Sequence, residues 1–287
     1  MRRARSKGWD RSGGSPPPPV PRGLLLGDGA FETVLTLNGR PVWLQDHLDR
    51  LMPGISFLGL RADRAALERE ALAACGPGLG ILRLTVARGG CARGLAAGGT
   101  GEAVVLAGFT PLPYGIVYAP VRLAVSTVRR NEGSPSSRMK TLSYLDNILA
   151  AREAASRGAD EALMLNNSGR VACAGIGNIF ILRGSTLVTP PGSEGVLAGI
   201  ARKHVLACAP GLGLEPREEP LGVGELMRAD AVFMTNSLRL INPVTELDGA
   251  ELNRAGAGTV ERLFSMLRAG IIAETSCDPF QPAEPLL

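Results

Sequence analysis

Apolar and polar positions alternate over "FETVLTL" (31–37), the pattern of a half-buried strand. Asn38-Gly39 is a two-residue turn signal, and "RPVWL" resumes the apolar pattern, so the segment predicts a hairpin. From Asp46 the period changes: Leu48, Leu51, Met52, Ile55 and Leu58 keep helical spacing, with Pro53 and Gly54 predicted to break or kink the helix. Residues 62–75 predict a cleaner helix ending at Gly76, and 81–89 and 102–109 read as two strands around a glycine-rich loop. Strands and helices joined by hairpins make the first half an α+β pattern.

Residues 110–120 carry three prolines and no period, which predicts a linker with its body at 113–120, between domains at 24–112 and 121–287. The second half opens on the strand "VRLAVST", a loop over 129–139 and a helix over 143–157 capped by Gly158. "EALMLN", "RVACAG" and "GNIFILRG" predict a meander of short strands. Helices are expected at 197–208 and 222–229, a strand at 231–236 ending in a polar turn, and a last helix over "GTVERLFSMLRAG" (258–270).

Composition narrows the class. With 287 residues, 45% apolar and 20% charged, the chain can build one large core or two ordinary ones. No apolar run is long enough to span a bilayer, and the start lacks the apolar stretch of a secretory signal, so a cytoplasmic protein is expected. The net charge of +4 belongs to a tail: residues 1–23 hold six basic residues against Asp10, leaving the remainder slightly acidic. "GGSPPPPVP" in that tail cannot build a core, so 1–23 is expected to be disordered and dispensable, with no nucleic-acid partner. Five scattered cysteines offer no zinc spacing, and two histidines exclude a His-rich metal centre and argue against a Ser/His/Asp triad. No GxxxxGK[ST] occurs, and "GIGNIF" lacks the third glycine of a dinucleotide fingerprint.

The chemistry centres on Lys140, in "SSRMKTLSYLDNILAAREA", a lysine after a Ser/Arg stretch at the entrance to an apolar-faced helix, where it can carry an aldehyde cofactor as a Schiff base. Its company is specific. "GDGAFETVLTLNGRPVWLQDHLDRL" (27–51), the Lys140 helix, "GADEALMLNNSGRV" (158–171), "GNIFI" (177–181), "GVLAGIARKHVL" (195–206) and "VFMTNSLRLINPVTELDG" (232–249) resemble, in order and spacing, the class IV aminotransferases. These fold-type IV pyridoxal-phosphate enzymes include branched-chain and D-amino-acid aminotransferases and 4-amino-4-deoxychorismate lyases. The resemblance covers about residues 24–250 and implies two α/β domains with pyridoxal 5'-phosphate between them, in a homodimer acting on a small molecule. It makes Lys140 the Schiff-base residue and Arg50 the fork that grips the cofactor phosphate. Ile200 and Ala201 match a turn whose backbone N–H groups receive the phosphate at a helix start. Ser237, with Asn236 beside it, matches a further phosphate hydroxyl.

Two departures bear on the reaction. Ala201 stands where the family usually has a hydroxyl residue. Cys173 stands where the family has the glutamate that pairs with the cofactor's pyridine nitrogen, and a thiol is a far weaker partner than a carboxylate. "LRLTVARGGCARGL" (82–95) resembles the lyases and makes Arg83, Arg88 and Arg93 candidates for binding a dianionic substrate, while Phe31, where some relatives have tyrosine, suits a bulky ring. Both candidate reactions begin with proton removal by the Lys140 amine. The lyase then expels pyruvate while its substrate ring becomes aromatic, a driving force that a weak electron sink lacks. The expectation is therefore a lyase converting 4-amino-4-deoxychorismate to 4-aminobenzoate and pyruvate. The alternatives are a branched-chain or D-amino-acid aminotransferase, or a non-catalytic homologue.

Overall fold

After a short helix, α1 (Arg22–Leu26), strand β1 (Gly29–Leu37) sorts its side chains between two cores by the period of two. Ala30 and Val34 pack on one face, among the apolar residues of α2 (Leu44–Phe57) and α3 (Arg64–Ala74). Leu35 and Leu37 face the other way, into a cluster shared with the second half of the chain. The protein is seen here as a computed structural model that describes residues 22–90, 94–96, 103–113 and 115–280. Most of the basic tail and Arg93 lie outside the described residues.

A four-stranded antiparallel sheet has the order β2-β1-β3-β4, with β2 at Arg40–Pro41, β3 at Leu79–Arg88 and β4 at Ala103–Pro111. The expected hairpin is present: Asn38 and Gly39 both take positive φ, 50° and 78°, which the tight turn requires. Helix α2 corrects the expectation of a break, running unbroken through Pro53. Pro53 is exposed, so the Asp49 carbonyl left without its helical donor can turn to water.

The larger sheet has the order β10-β9-β8-β11-β12-β5-β6-β7, with β13 (Ala250–Glu251) on β12. Its first strands are β5 (Val121–Val125), β6 (Glu161–Leu165) and β7 (Val171–Ala174), with α4 (Leu145–Ser156) between β5 and β6. Then come β8 (Asn178–Arg183), β9 (Thr186–Thr189), α5 (Ile200–Cys208) and β10 (Glu215–Glu218). The chain continues through α6 (Val223–Arg228), β11 (Ala231–Asn236) and β12 (Leu240–Leu247). The expected meander is corrected: β6 pairs with β7, but β8 pairs with β9 and β11. A tight turn, in which the Ala174 N–H donates to the Gly177 carbonyl at 2.8 Å, carries the chain from the edge strand β7 back to β8. Alternation tells which face is buried, and these strands are buried throughout, so it could not name the partner. Pro243 is tolerated inside β12 because pairing with β5 begins only at Val244.

The last helix, α7 (Ala257–Thr275), outruns its expected end at Gly270: that glycine is exposed, and Ile271 and Thr275 beyond it are buried. Residues 115–120 pack on the second half of the chain: Val117 is buried and Tyr118 stacks on Phe264 of α7, 4.4 Å between centroids. Among the described residues no helix is long and apolar enough to cross a membrane.

The stacked pair Phe180–Phe233, 5.0 Å apart and fully buried, is the centre of the shared cluster. Phe180→Ala should cost about 3–5 kcal/mol of unfolding free energy, read from the shift of a urea transition at unchanged slope.

Candidate active site

Between the two sheets lies a cavity of about 260 Å³. Strand β1 contributes Phe31 and Thr33, α2 contributes Arg50, β3 contributes Arg83, and strands, helices and loops of the second half of the chain supply the rest. Lys140 precedes α4 rather than opening it. The Phe31 N–H donates to the Lys140 carbonyl at 2.9 Å, and the Leu142 N–H donates to the Gly29 carbonyl at 2.9 Å, so β1 pins the lysine segment.

The Lys140 side chain enters the cavity, where its ammonium donates to the Tyr144 hydroxyl at 3.2 Å and sits 4.4 Å from the centre of the Phe31 ring. Burial, followed by the charge of Arg50 and with help from Arg83 and Arg130, outweighs the attraction of Glu32 and brings the amine down to about 8. An amine so poised is part free base near neutral pH and can act as nucleophile and as proton carrier.

Arg50 is held by Glu32, an acid that sequence reading passed over. Its Nε donates to Oε1 at 2.8 Å and its Nη2 to Oε2 at 2.5 Å, while His47 lies 2.7 Å from Oε2. Burial alone would raise the Glu32 carboxyl, but Arg50 and His47 hold it at about 2. Arg50 Nη1 donates to the Ala198 carbonyl at 3.0 Å, just ahead of α5. Of five guanidinium N–H groups these contacts use three, leaving two for an anion. The first N–H groups of α5, at Ile200, Ala201 and Arg202, have no partner inside the helix, and Gly199 caps it without a side chain. Ile200 lines the cavity, whereas the side chain of Ala201 is buried in the core and does not reach it. Asn236 and Ser237 close the same region; the Asn236 side-chain Oδ1 accepts from the N–H of Leu238 at 3.0 Å and of Arg239 at 2.8 Å, which stiffens the turn. A helix start, an oriented guanidinium and a hydroxyl on one cavity wall make a donor set suited to an anion.

Arg83 lies flat on Phe31, its guanidinium carbon 3.5 Å from the ring centre. Cys173 also faces the cavity, and burial pushes its thiol up, against the pull of Arg130. Arg88 is a correction: it does not reach the cavity but pairs with Asp28 at 2.9 Å and bonds the Leu58 carbonyl, because it ends β3 at the loop beyond. Besides Glu32, sequence reading passed over several wall residues, among them Arg130, Tyr144 and Asn147, whose amide donates to the Gly175 carbonyl at 2.6 Å. The spacing of Tyr144, four residues after Lys140, was a usable signal.

The sequence profile of amino-transferase class IV matches residues 29–247. The chain belongs to that family. It is 28% identical over 239 residues to the aminodeoxychorismate lyase of Bacillus subtilis, covering 80% of this chain and 81% of that protein. Its fold superposes on the crystal structure of 4-amino-4-deoxychorismate lyase from Pseudomonas aeruginosa with a TM-score of 0.80, at 33% identity, covering 87% and 93% of the two chains. It superposes equally well on a branched-chain aminotransferase from the archaeon Thermoproteus uzoniensis, with a TM-score of 0.81 and 29% identity over 88% and 89%. This class IV enzyme is therefore pyridoxal-phosphate-dependent, and its residues fit that cofactor: a depressed amine for the aldehyde, and a helix start with a fork and a hydroxyl for the phosphate.

In the cofactor-free protein Lys140 binds fewer protons folded, at a pKa of about 8, than unfolded, at 10.5. Stability from this residue is therefore lowest below pH 8 and rises as pH climbs to 10, by up to about 2–3 kcal/mol. Urea unfolding at pH 7.5 and 10 should show the rise, and Lys140→Met should abolish that share of it.

Proposed function

We propose that the enzyme is the lyase that converts 4-amino-4-deoxychorismate to 4-aminobenzoate and pyruvate, in the service of folate-type pterin synthesis. One observation carries the reading. The described walls of the cavity hold Lys140, Arg50, Arg83 and Arg130 and no carboxylate. The lyase substrate brings two carboxylates, and a guanidinium facing it gains a charge-assisted hydrogen bond. A branched aliphatic side chain placed there would strip water from the same cation and return nothing.

Pyridoxal phosphate, when bound, supplies an electron-withdrawing ring that stabilises negative charge at the substrate carbon. The chain does the rest. Arg50, Ser237 and the start of α5 orient the phosphate, Lys140 anchors the aldehyde and carries the proton, and Tyr144 holds the lysine nitrogen in place. Arg83, spread over Phe31, offers its N–H groups to a substrate carboxylate. Expulsion of pyruvate is driven by formation of the aromatic ring, so the reaction asks less of the ring nitrogen than transamination does. Cys173 in place of an acid suits that economy. Branched-chain transamination is the second reading, supported by the apolar wall of Phe31, Ile200 and Leu238 and by the similarity to the archaeal aminotransferase.

We also read the enzyme as a homodimer. Leu145, Ile148 and Leu149 form an exposed apolar stripe on α4, beside exposed Ile176 at the cavity wall, and a second copy of the chain would bury it.

Purified enzyme should form 4-aminobenzoate from aminodeoxychorismate faster than it transfers amino groups from D- or L-amino acids to a keto acid. Rapid transamination with no 4-aminobenzoate would sink the proposal. Arg83→Met should lower kcat/KM for the lyase substrate roughly 10- to 100-fold, the worth of one charge-assisted hydrogen bond. Borohydride should fix the cofactor on the wild type and not on Lys140→Ala. Sedimentation should report a dimer for the wild type and a shift towards monomer for Ile148→Glu.

A further inference from the structure

The cofactor has four polar features, and two are accounted for: the aldehyde by Lys140, the phosphate by Arg50, α5 and Ser237. The ring nitrogen stands para to the carbon that bears the aldehyde, so it points away from Lys140. A pyridine nitrogen stays protonated when an acid is close enough to pair with it. Among the described residues no acid lines the cavity. Glu32 is saturated by Arg50 and His47. Glu161 is buried behind Gly175, where a Cβ on that glycine would come within 2.5 Å of its Oε1. One of its oxygens accepts from the Ala162 N–H, and burial favours its neutral form. Tyr144 is likewise kept neutral by burial.

What the cavity does present is Arg130, whose charge acts on Cys173, Tyr144 and Lys140. Its Nε donates to the Gly195 carbonyl at 3.2 Å and its Nη2 to the Ser137 carbonyl, which fixes the plane of the guanidinium and leaves Nη1 without a hydrogen bond among the described residues. No ion pair among the described residues engages it. A guanidinium donates and cannot accept, so it serves the lone pair of a neutral nitrogen and repels a protonated one.

We infer that the ring nitrogen of bound pyridoxal phosphate is unprotonated in this enzyme, and that Arg130, acting with the thiol of Cys173, keeps it so. The inference rests on the assignment of Lys140 as the anchoring residue. Arg130 is thereby a tuning residue for the cofactor: it weakens the electron sink and so favours elimination, which gains its own driving force, over amino transfer.

The holoenzyme reconstituted with pyridoxal phosphate carrying 15N in the ring tests this by NMR between pH 6.5 and 9. The wild-type resonance should hold at the unprotonated position throughout. Cys173→Glu should move it to the protonated position. Arg130→Met should raise the nitrogen's proton affinity on the order of tenfold or more, while Arg130→Lys, which keeps the charge, should leave it as in the wild type. A protonated wild-type nitrogen at pH 7.5, or an Arg130→Met titration equal to the wild type, overturns the inference. Either result leaves the Lys140 assignment standing if borohydride still fixes the cofactor there; loss of that fixation from the wild type overturns both.

Discussion

The Glu32 carboxylate is the member on which the site's geometry hangs. It sits in β1 on the face that packs against α2, with almost no exposure, and both of its oxygens are committed. A buried charge of this kind costs several kcal/mol unless it is paired and hydrogen-bonded, so its partners cannot move freely. Arg50 is thereby fixed in direction and reaches across to Ala198, at the door of α5. The same strand holds Lys140 through its backbone. One nine-residue strand therefore places the Arg50 guanidinium, the Lys140 amine and the Phe31 wall in a single frame. The contacts of α2 with α5 reinforce it: Asp46 pairs with Lys203 at 2.6 Å and His204 at 2.7 Å, and Trp43 stacks on His204.

Much of this was legible in the sequence, for reasons that differ from part to part. The helices and the first hairpin follow from periodicity and turn chemistry, which are local. Lys140, Arg50, Cys173 and Ser237 emerge from blocks whose order carries more information than any one of them. Glu32 escaped because an acid in a strand reads as a solvent-facing position, and only the paired sheet shows that the face is buried. Arg130 escaped because its role depends on Gly195 and Ser137, neither of which announces itself. Arg88 shows the converse. Its neighbour in the motif, Arg83, faces the cavity, while Arg88 is drawn to Asp28 at the end of the same strand, a pairing across 60 residues that no spacing encodes.

The electrostatic character of the cavity follows from what is missing as much as from what is present. Four cationic side chains face one small space, and Glu32, the acid that pairs with Arg50, lies behind the wall. Burial comes first and the charges of Arg50, Arg83 and Arg130 add to it, and together they bring the Lys140 amine down to about 8. A lysine in such company is a better nucleophile because its neighbours make its charge unwelcome, and the same neighbours make anions welcome.

Function and stability are coupled through that arrangement. The cavity concentrates like charge, which the fold tolerates at a cost, and a phosphate with one or two carboxylates would neutralise it. Ligands that bind the folded chain alone stabilise it in proportion to the logarithm of their concentration over Kd. Here the anions also remove a repulsion that the unfolded chain never suffers. The hydrogen bonds of Arg50 and Arg130 to backbone carbonyls keep those guanidiniums from swinging out to solvent, so the repulsion is retained until the ligand arrives rather than relaxed away. Preorganised cations of this kind gain affinity because their ordering was completed during folding, and the buried Glu32 is what makes the ordering of Arg50 affordable.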